Sequence, residues 1–252
     1  MSRSAFTLVE LSIVLVILGL LTGGILGGQA LIRASQLRAI PQEISRYTSA
    51  ANAFRDKYMA LPGDMTNATA FWGAAASCPG DFTTPATTPA TCNGDGNRQI
   101  GTPSNLAETW RAWQHLANAG LIEGSYTGVQ GTAGDATHGT AGLNIPRSKT
   151  EQQQGYAFIF YNQGGAQHFP GPYNNTLFWG SGNSMDEGTV LMPEDAWNID
   201  EKMDDGMPGQ GKVRSFLNTY RPNCANSDVA STAIYQVTLK VRGCNLNFLS
   251  VI

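Results

Sequence analysis

The apolar run that opens this chain restricts its fold more than any other stretch. It reads Phe6-Thr-Leu-Val-Glu10-Leu-Ser-Ile-Val-Leu-Val-Ile-Leu-Gly-Leu-Leu21 and carries a single carboxylate near its start. Leu11 to about Leu26, extended by Phe6 to Val9, is long enough as a helix to cross roughly 30 Å of hydrocarbon. A carboxylate is costly in lipid, so Glu10 points to a function. Flanking charge leaves the orientation open, because Arg3 precedes the run while Arg33 and Arg38 follow it.

Three readings fit this segment. A secretory signal peptide would use Arg3 as its charged region and be cut after a small residue such as Ala30, but the apolar core is long for that and Glu10 is out of place. A plain one-pass anchor gives the carboxylate no partner. The third reading rests on Ser4-Ala-Phe-Thr-Leu-Val-Glu10, which resembles the processing site of type IV prepilins and type II secretion pseudopilins. The resemblance covers roughly the first 30 residues closely, with Ala5 standing where the family usually has Gly.

That resemblance implies several things. A short basic leader, residues 1–5, is removed by prepilin peptidase between Ala5 and Phe6, and the new Phe6 amine is methylated. Glu10 assists assembly, its carboxylate meeting the Phe6 ammonium of a neighbouring subunit so that two charges neutralise each other in an apolar filament core. The precursor would sit in the inner membrane with its bulk in the periplasm, and would then join a periplasmic or cell-surface filament of pilin or pseudopilin subunits. Leu61-Pro-Gly-Asp64 is similar to a segment frequent in pilin-like proteins with large periplasmic domains, which extends the likeness weakly to about Gly73.

At 252 residues the chain has room for the membrane helix and one sizeable globular domain. The expected division is a leader at 1–5, a helical spine at 6–58 whose membrane-spanning part covers about 6–28, and a globular domain at 59–252. A net charge of −3 argues against general nucleic-acid binding, which needs a basic stripe. The four cysteines fall as two local pairs, Cys78 with Cys92 and Cys224 with Cys244. Neither spacing is C-x-x-C, so zinc and thioredoxin-like chemistry fit poorly. In an oxidising periplasm they read as two disulfides, and among three connectivities the local one is preferred because the intervening sequences are loop-like.

Beyond Gly23-Gly24-Ile-Leu-Gly27-Gly28 the apolar pattern narrows to Leu31, Ala34, Leu37, Ile40, Ile44, Tyr47, Ala51, Phe54 and Tyr58, one face of a helix. Arg33, Arg38, Glu43, Arg46 and Lys57 lie off that stripe. One helix from Phe6 to about Tyr58 is expected, bent near Pro41, with the glycines offering either a weak point or close helix packing. Leu61-Pro-Gly-Asp64 ends it in a turn, and Asp64 can cap a short helix reaching Gly73.

A Thr/Pro/Gly-rich loop follows at 78–103. Asn105 and Glu108 are a capping pair for a helix whose face is Leu106, Trp110, Trp113 and Ala117, ending at Gly120. His115 falls off that face, as a surface or boundary residue. Residues 123–155 read as a long exposed loop. Strands are expected at Tyr156–Tyr161, Thr176–Trp179, Thr189–Met192, Gly211–Phe216, Ile234–Val241 and Leu246–Val251, the fifth with Tyr235, Val237, Leu239 and Val241 turned inward. The fold class is α+β: a long N-terminal membrane-spanning helix packed on a mostly antiparallel sheet with long loops.

Pro193 to Gly206 reads as a short helix with Met192, Ala196, Ile199 and Met203 as its buried edge. Its last turn holds Asp200, Glu201, Asp204 and Asp205, the wrong charge for a helix C-terminus. A Ca²⁺ ion on Asp200, Asp204 and Asp205 would offset it; so would Lys202, Lys212 or Arg214, or simple solvation. A second acidic loop, Asn93-Gly-Asp95-Gly-Asn97, begins like a calcium loop. It then places Arg98 where the sharp-turn Gly belongs and Ser104 where the bidentate Glu belongs, so it reads as turns. With three histidines, no G-x-S-x-G, no P-loop and no G-x-G-x-x-G after a strand, the chain does not read as an enzyme. The sequence thus favours a pilin-like structural subunit of a type IV pilus or related filament. A type II secretion pseudopilin is the alternative within that family, and a membrane-tethered periplasmic binding module that never polymerises is the alternative outside it.

Overall fold

A single helix, α1 (Leu8–Tyr58), runs about 77 Å at 1.5 Å per residue and continues through Pro41 without a break. The computed structural model describes residues 8–76, 78, 89–102, 106–130, 139–150, 154–163, 166–181 and 190–252. The two halves of α1 have different surroundings. Its leucine, isoleucine and valine side chains from Leu8 to Ile32 are half or more exposed, whereas Ile40, Ile44, Tyr47, Ala51 and Phe54 are buried. The stripe read from sequence therefore engages the core from Leu37, which is partly buried, and not from Leu31, which is 74% exposed.

After α1 come α2 (Ala68–Trp72), α3 (Ala107–Asn118), β1 (Gln154–Tyr161), β2 (Asn174–Ser181), α4 (Pro193–Met203), β3 (Val213–Arg214) and β4 (Leu246–Phe248). The strands form one antiparallel sheet in the order β1-β2-β4-β3, with Phe158 opposite Leu177 and Leu177 opposite Phe248. This is an α+β arrangement in which aromatic layers join helix to sheet. Tyr47 of α1 meets Trp113 of α3 edge-on at 5.0 Å, and Trp113 stacks on Phe158 of β1 at 4.7 Å.

Several local expectations are corrected. The segment 234–241 is not a strand. The Cys224–Cys244 bridge closes its loop, and beyond the Ala225–Tyr235 bridge the chain turns, with the Leu239 N–H donating to the Gln236 carbonyl. Only Tyr235 of the alternating set is buried; Ile234, Val237 and Val241 are exposed. Within 211–216 pairing shrinks to β3 and a single bridge from Phe216 to His168, within 246–251 to β4, and Leu191 makes a single bridge to Cys244 while Thr189 lies outside the described residues. In each case loop hydrogen bonds take the place of a ladder. The Leu249 N–H donates to the Lys212 carbonyl, and the Ser250 N–H to the Tyr173 carbonyl. At α3 the residue before the helix is Leu106, which makes no side-chain cap, and Asn105 lies outside the described residues.

Candidate functional site

The projecting half of α1 has the length and composition to cross a membrane: mean hydropathy reaches 2.4 over an 18-residue window, none of it buried among the described residues. Thr22 satisfies its hydroxyl on the Leu18 carbonyl (2.8 Å), as polar side chains on an apolar helix must. A methyl group placed on Gly19, Gly23, Gly24, Gly27 or Gly28 would meet nothing within 4 Å, so among the described residues these glycines have no packing partner beyond their own helix. Glu10 lies exposed in the first turn, where a carboxylate also suits the positive end of the helix. Ala5 and Phe6 lie outside the described residues.

The lower half of α1 is clamped to the globular part by charge as well as by apolar packing. Arg33, off the stripe, forms a bidentate pair with Asp195 near the start of α4, through Nε at 3.1 Å and through Nη2. Glu43, also read as off the stripe, is buried. It accepts hydrogen bonds from the Tyr156 hydroxyl (2.7 Å), the Ser148 hydroxyl (3.1 Å) and the Lys149 N–H (3.1 Å). A signal was present in the sequence, since Glu43 directly precedes Ile44 and lies three residues from Ile40, within the arc that packs.

A second junction joins the turn after α1, the loop at 91–101 and α3. His115 is its centre and corrects the expectation of a surface histidine: it is fully buried. Its Nδ1 accepts from the Gly63 N–H (3.0 Å), which places the ring proton on Nε2, 3.0 Å from the Thr91 hydroxyl; that hydroxyl donates to Gln114 (2.6 Å). Burial keeps the imidazole neutral, lowering its pKa to about 3. Gly63 sits at φ +86° with its α-carbon against the Glu108 carbonyl, so a side chain there would collide with backbone.

Around this junction Asp64, Asp95 and Glu108 bring carboxylate oxygens within 4.8 Å of one another. Asp64 accepts from the Asn97 and Arg98 N–H groups (both 2.9 Å), and Glu108 from the Asp95 N–H (3.0 Å). Desolvation is the main reason their pKa values rise, to about 6 for Asp64 and about 7 for Glu108. The acidic loop was visible in the sequence. Its partners, 31 residues before Asp95 and 13 after it, were not, because only the tertiary fold brings them together.

Asp200, Asp204 and Asp205 form the other carboxylate group, also within 4.8 Å. Asp200 is buried and accepts from the Tyr235 hydroxyl (2.8 Å) and the Gly206 N–H (3.3 Å), and burial raises its pKa to about 8. Asp204 accepts from the Lys212 and Val213 N–H groups, and Asp205 from the Met207 N–H (2.8 Å). Backbone donors of the following loop thus meet this negative helix end. Among the described residues no ion pair to Lys202, Lys212 or Arg214 does so.

Both cysteine pairs are bridged locally, Cys78 to Cys92 with Cα atoms 5.5 Å apart and Cys224 to Cys244 at 4.9 Å. The first pins the 91–101 loop beside α2, and the second closes the segment that covers α4. These bridges and junctions hold the head together. No protein-family profile matches the chain, and no curated protein or solved structure gives a significant match.

Proposed function

We propose that this chain is a pilin-like structural subunit, made as a membrane-held precursor, cut between Ala5 and Phe6, and packed through α1 into a type IV pilus or related filament. The observation that carries the reading is the division of α1: one continuous helix whose second half is domain core and whose first half stands clear, apolar on all sides, with Glu10 in its first turn. A helix that is hydrophobic all round needs an apolar environment, and a membrane followed by a bundle of like helices supplies one at each stage. Within that bundle the Glu10 carboxylate pairs with the Phe6 ammonium of a neighbour. The type II secretion pseudopilin, whose short filament moves folded proteins outward, uses the same helix in the same way and remains the alternative machine.

A second reading, the tethered binding module, is favoured by one feature of the head, a hollow of about 700 Å³ at the end of α1 lined by Arg55, Asp64, Arg98 and Asn175 among others. Mass spectrometry of the N-terminal peptide from the membrane-extracted protein tests the proposal. A mature chain beginning with methylated Phe6 is expected. A chain that still starts at Met1 or Ser2, or that is cut near Ala30, would overturn it.

A further inference from the structure

Residues 93–99 cross the turn that follows α1, and both ends of the crossing are fixed. On one side Cys92 is bridged to Cys78. On the other Ile100 is fully buried, and its N–H donates to the Asn175 side chain at 2.9 Å. Between these anchors Asn93, Asp95, Gly96, Asn97 and Arg98 are exposed. The segment is held down by its N–H groups. Those of Asn97 and Arg98 end on the Asp64 carboxylate (both 2.9 Å), that of Asp95 on Glu108 (3.0 Å), and that of Gly101 reaches the other Glu108 oxygen at 3.4 Å. Gly94 and Gly96 donate to the backbone carbonyls of Met65 and Asp64, at 2.8 and 3.1 Å. Arg98 is kept at φ +67°, a left-handed conformation that is costly for a residue with a side chain, so these contacts hold the segment against a local backbone preference.

Two of the acceptors, Asp64 and Glu108, are buried, and together with Asp95 they bring carboxylate oxygens within 4.8 Å of one another. Against these three groups α3 sets one cation, Arg111, whose Nη1 donates to the Asn93 carbonyl at 3.1 Å. Arg55 and Asp56 of α1 and the Arg98 side chain line the hollow that adjoins Asp64. His115, which accepts from Gly63, is neutral. Three carboxylates this close cannot all ionise without cost. Burial chiefly, with the like charge of Asp95 added, raises the pKa of Asp64 to about 6 and that of Glu108 to about 7.

We propose that residues 93–99 are a proton-operated strap, closed over the turn after α1 while the buried carboxyl pair Asp64 and Glu108 holds a proton, and released from that turn when both are ionised. Both groups are raised above their ordinary values of 3.8 and 4.5. Closure is therefore fully supported below those values and loses its support as pH rises through about 6 and then about 7. Release also lets go of Arg98, whose backbone strain the Asp64 carboxylate sustains. Gly96 and Arg98 are wall residues of the hollow of about 700 Å³ at the end of α1, so an open strap widens the way into it. The fixed ends at Cys92 and Ile100 confine the motion to the strap itself.

The test is hydrogen–deuterium exchange of the full-length protein in detergent micelles with EDTA, from about pH 5.5 to about pH 8.5, each rate divided by that of the unfolded chain at the same pH. Protection of the Asp95, Asn97 and Arg98 amides should fall about ten-fold or more across this range, while the α3 amides from Trp110 to Leu116 keep theirs. Glu108→Gln, neutral at every pH, should cut the fall to about five-fold or less, because only Asp64 then titrates with a raised value. Asp95→Asn removes a like charge at an exposed position and leaves both buried carboxyls in place; its fall should also be smaller than that of wild type. Strap protection that does not change with pH, a loss shared equally by α3, or a fall in Asp95→Asn as large as in wild type would overturn the proposal. So would a strap that is unprotected at the acidic end in EDTA and regains protection with millimolar Ca²⁺, which would make a cation and not a proton the closing agent.

Discussion

Glu108 shows how a buried polar residue on a helix can join two loops and make the joint sensitive to protons. It accepts from the N–H of Asp95 while lying among Asp64 and Asp95, and burial together with those like charges raises its pKa to about 7. A carboxyl raised above its unfolded value of 4.5 stabilises the fold fully below that value, and the contribution is lost as pH rises through about 7. His115 and His168 run the other way. Their pKa values are lowered to about 3 and about 4, so their contribution is present above 6.5 and declines as pH falls. The comparison that isolates the carboxyl is Glu108→Gln against wild type, because Gln keeps the neutral form at every pH. In urea titrations of the full-length protein in detergent, followed by tryptophan fluorescence, the variant's midpoint relative to wild type should climb between pH 5.5 and 8.5. A difference that does not change across this range would show that Glu108 titrates near its ordinary value.

At the scale of elements, α1 divides at Leu37 between a projecting helix and a packed one. Phe54 is fully buried, in contact with Tyr58 and stacked on His115, so Phe54→Ala should cost about 3–5 kcal/mol. Leu31→Ala, at a 74% exposed position, should leave the unfolding of the head unchanged to within about 0.5 kcal/mol. Equal losses in chemical denaturation would mean that the helix packs along its whole stripe. The helices were legible because their signals are local: the long apolar run, the threes-and-fours stripe, Pro193 opening α4 and the tryptophans of α3. β1 and β2 were also legible, each an eight-residue strand of which the sequence showed 156–161 in the first and 176–179 in the second. The failures were segments whose partners are distant. Alternation at 235–241 resembles a half-buried strand, yet only Tyr235 turns inward, because the bridge from Cys224 to Cys244 makes that loop turn back on itself. Glu43 and His115 were misjudged for a related reason. A helical wheel assigns one buried side, but α1 is covered by both the sheet and residues 148–149, and α3 is buried from Ala107 to Leu116 all the way round.

At the scale of the whole molecule, the chain joins a rigid, twice-bridged head to a projecting apolar helix, and the account stands on what that helix is for. Assembly predicts a specific asymmetry. Removing the Glu10 carboxylate should leave the head intact and the helix in the membrane, yet deprive a neighbour's Phe6 ammonium of its partner inside an apolar core. An unpaired charge in such a core is worth several kcal/mol, well beyond the 1.4 kcal/mol that corresponds to a factor of ten. The most direct measurement is the yield of Glu10→Ala subunit in sheared or cross-linked filaments, divided by total subunit in the membrane and normalised to wild type. A fall of about ten-fold or more, with both disulfides still formed and membrane insertion unchanged, is the predicted result. Equal incorporation of mutant and wild type, or the absence of wild-type chain from any filament while it remains a folded membrane-held monomer, would contradict it.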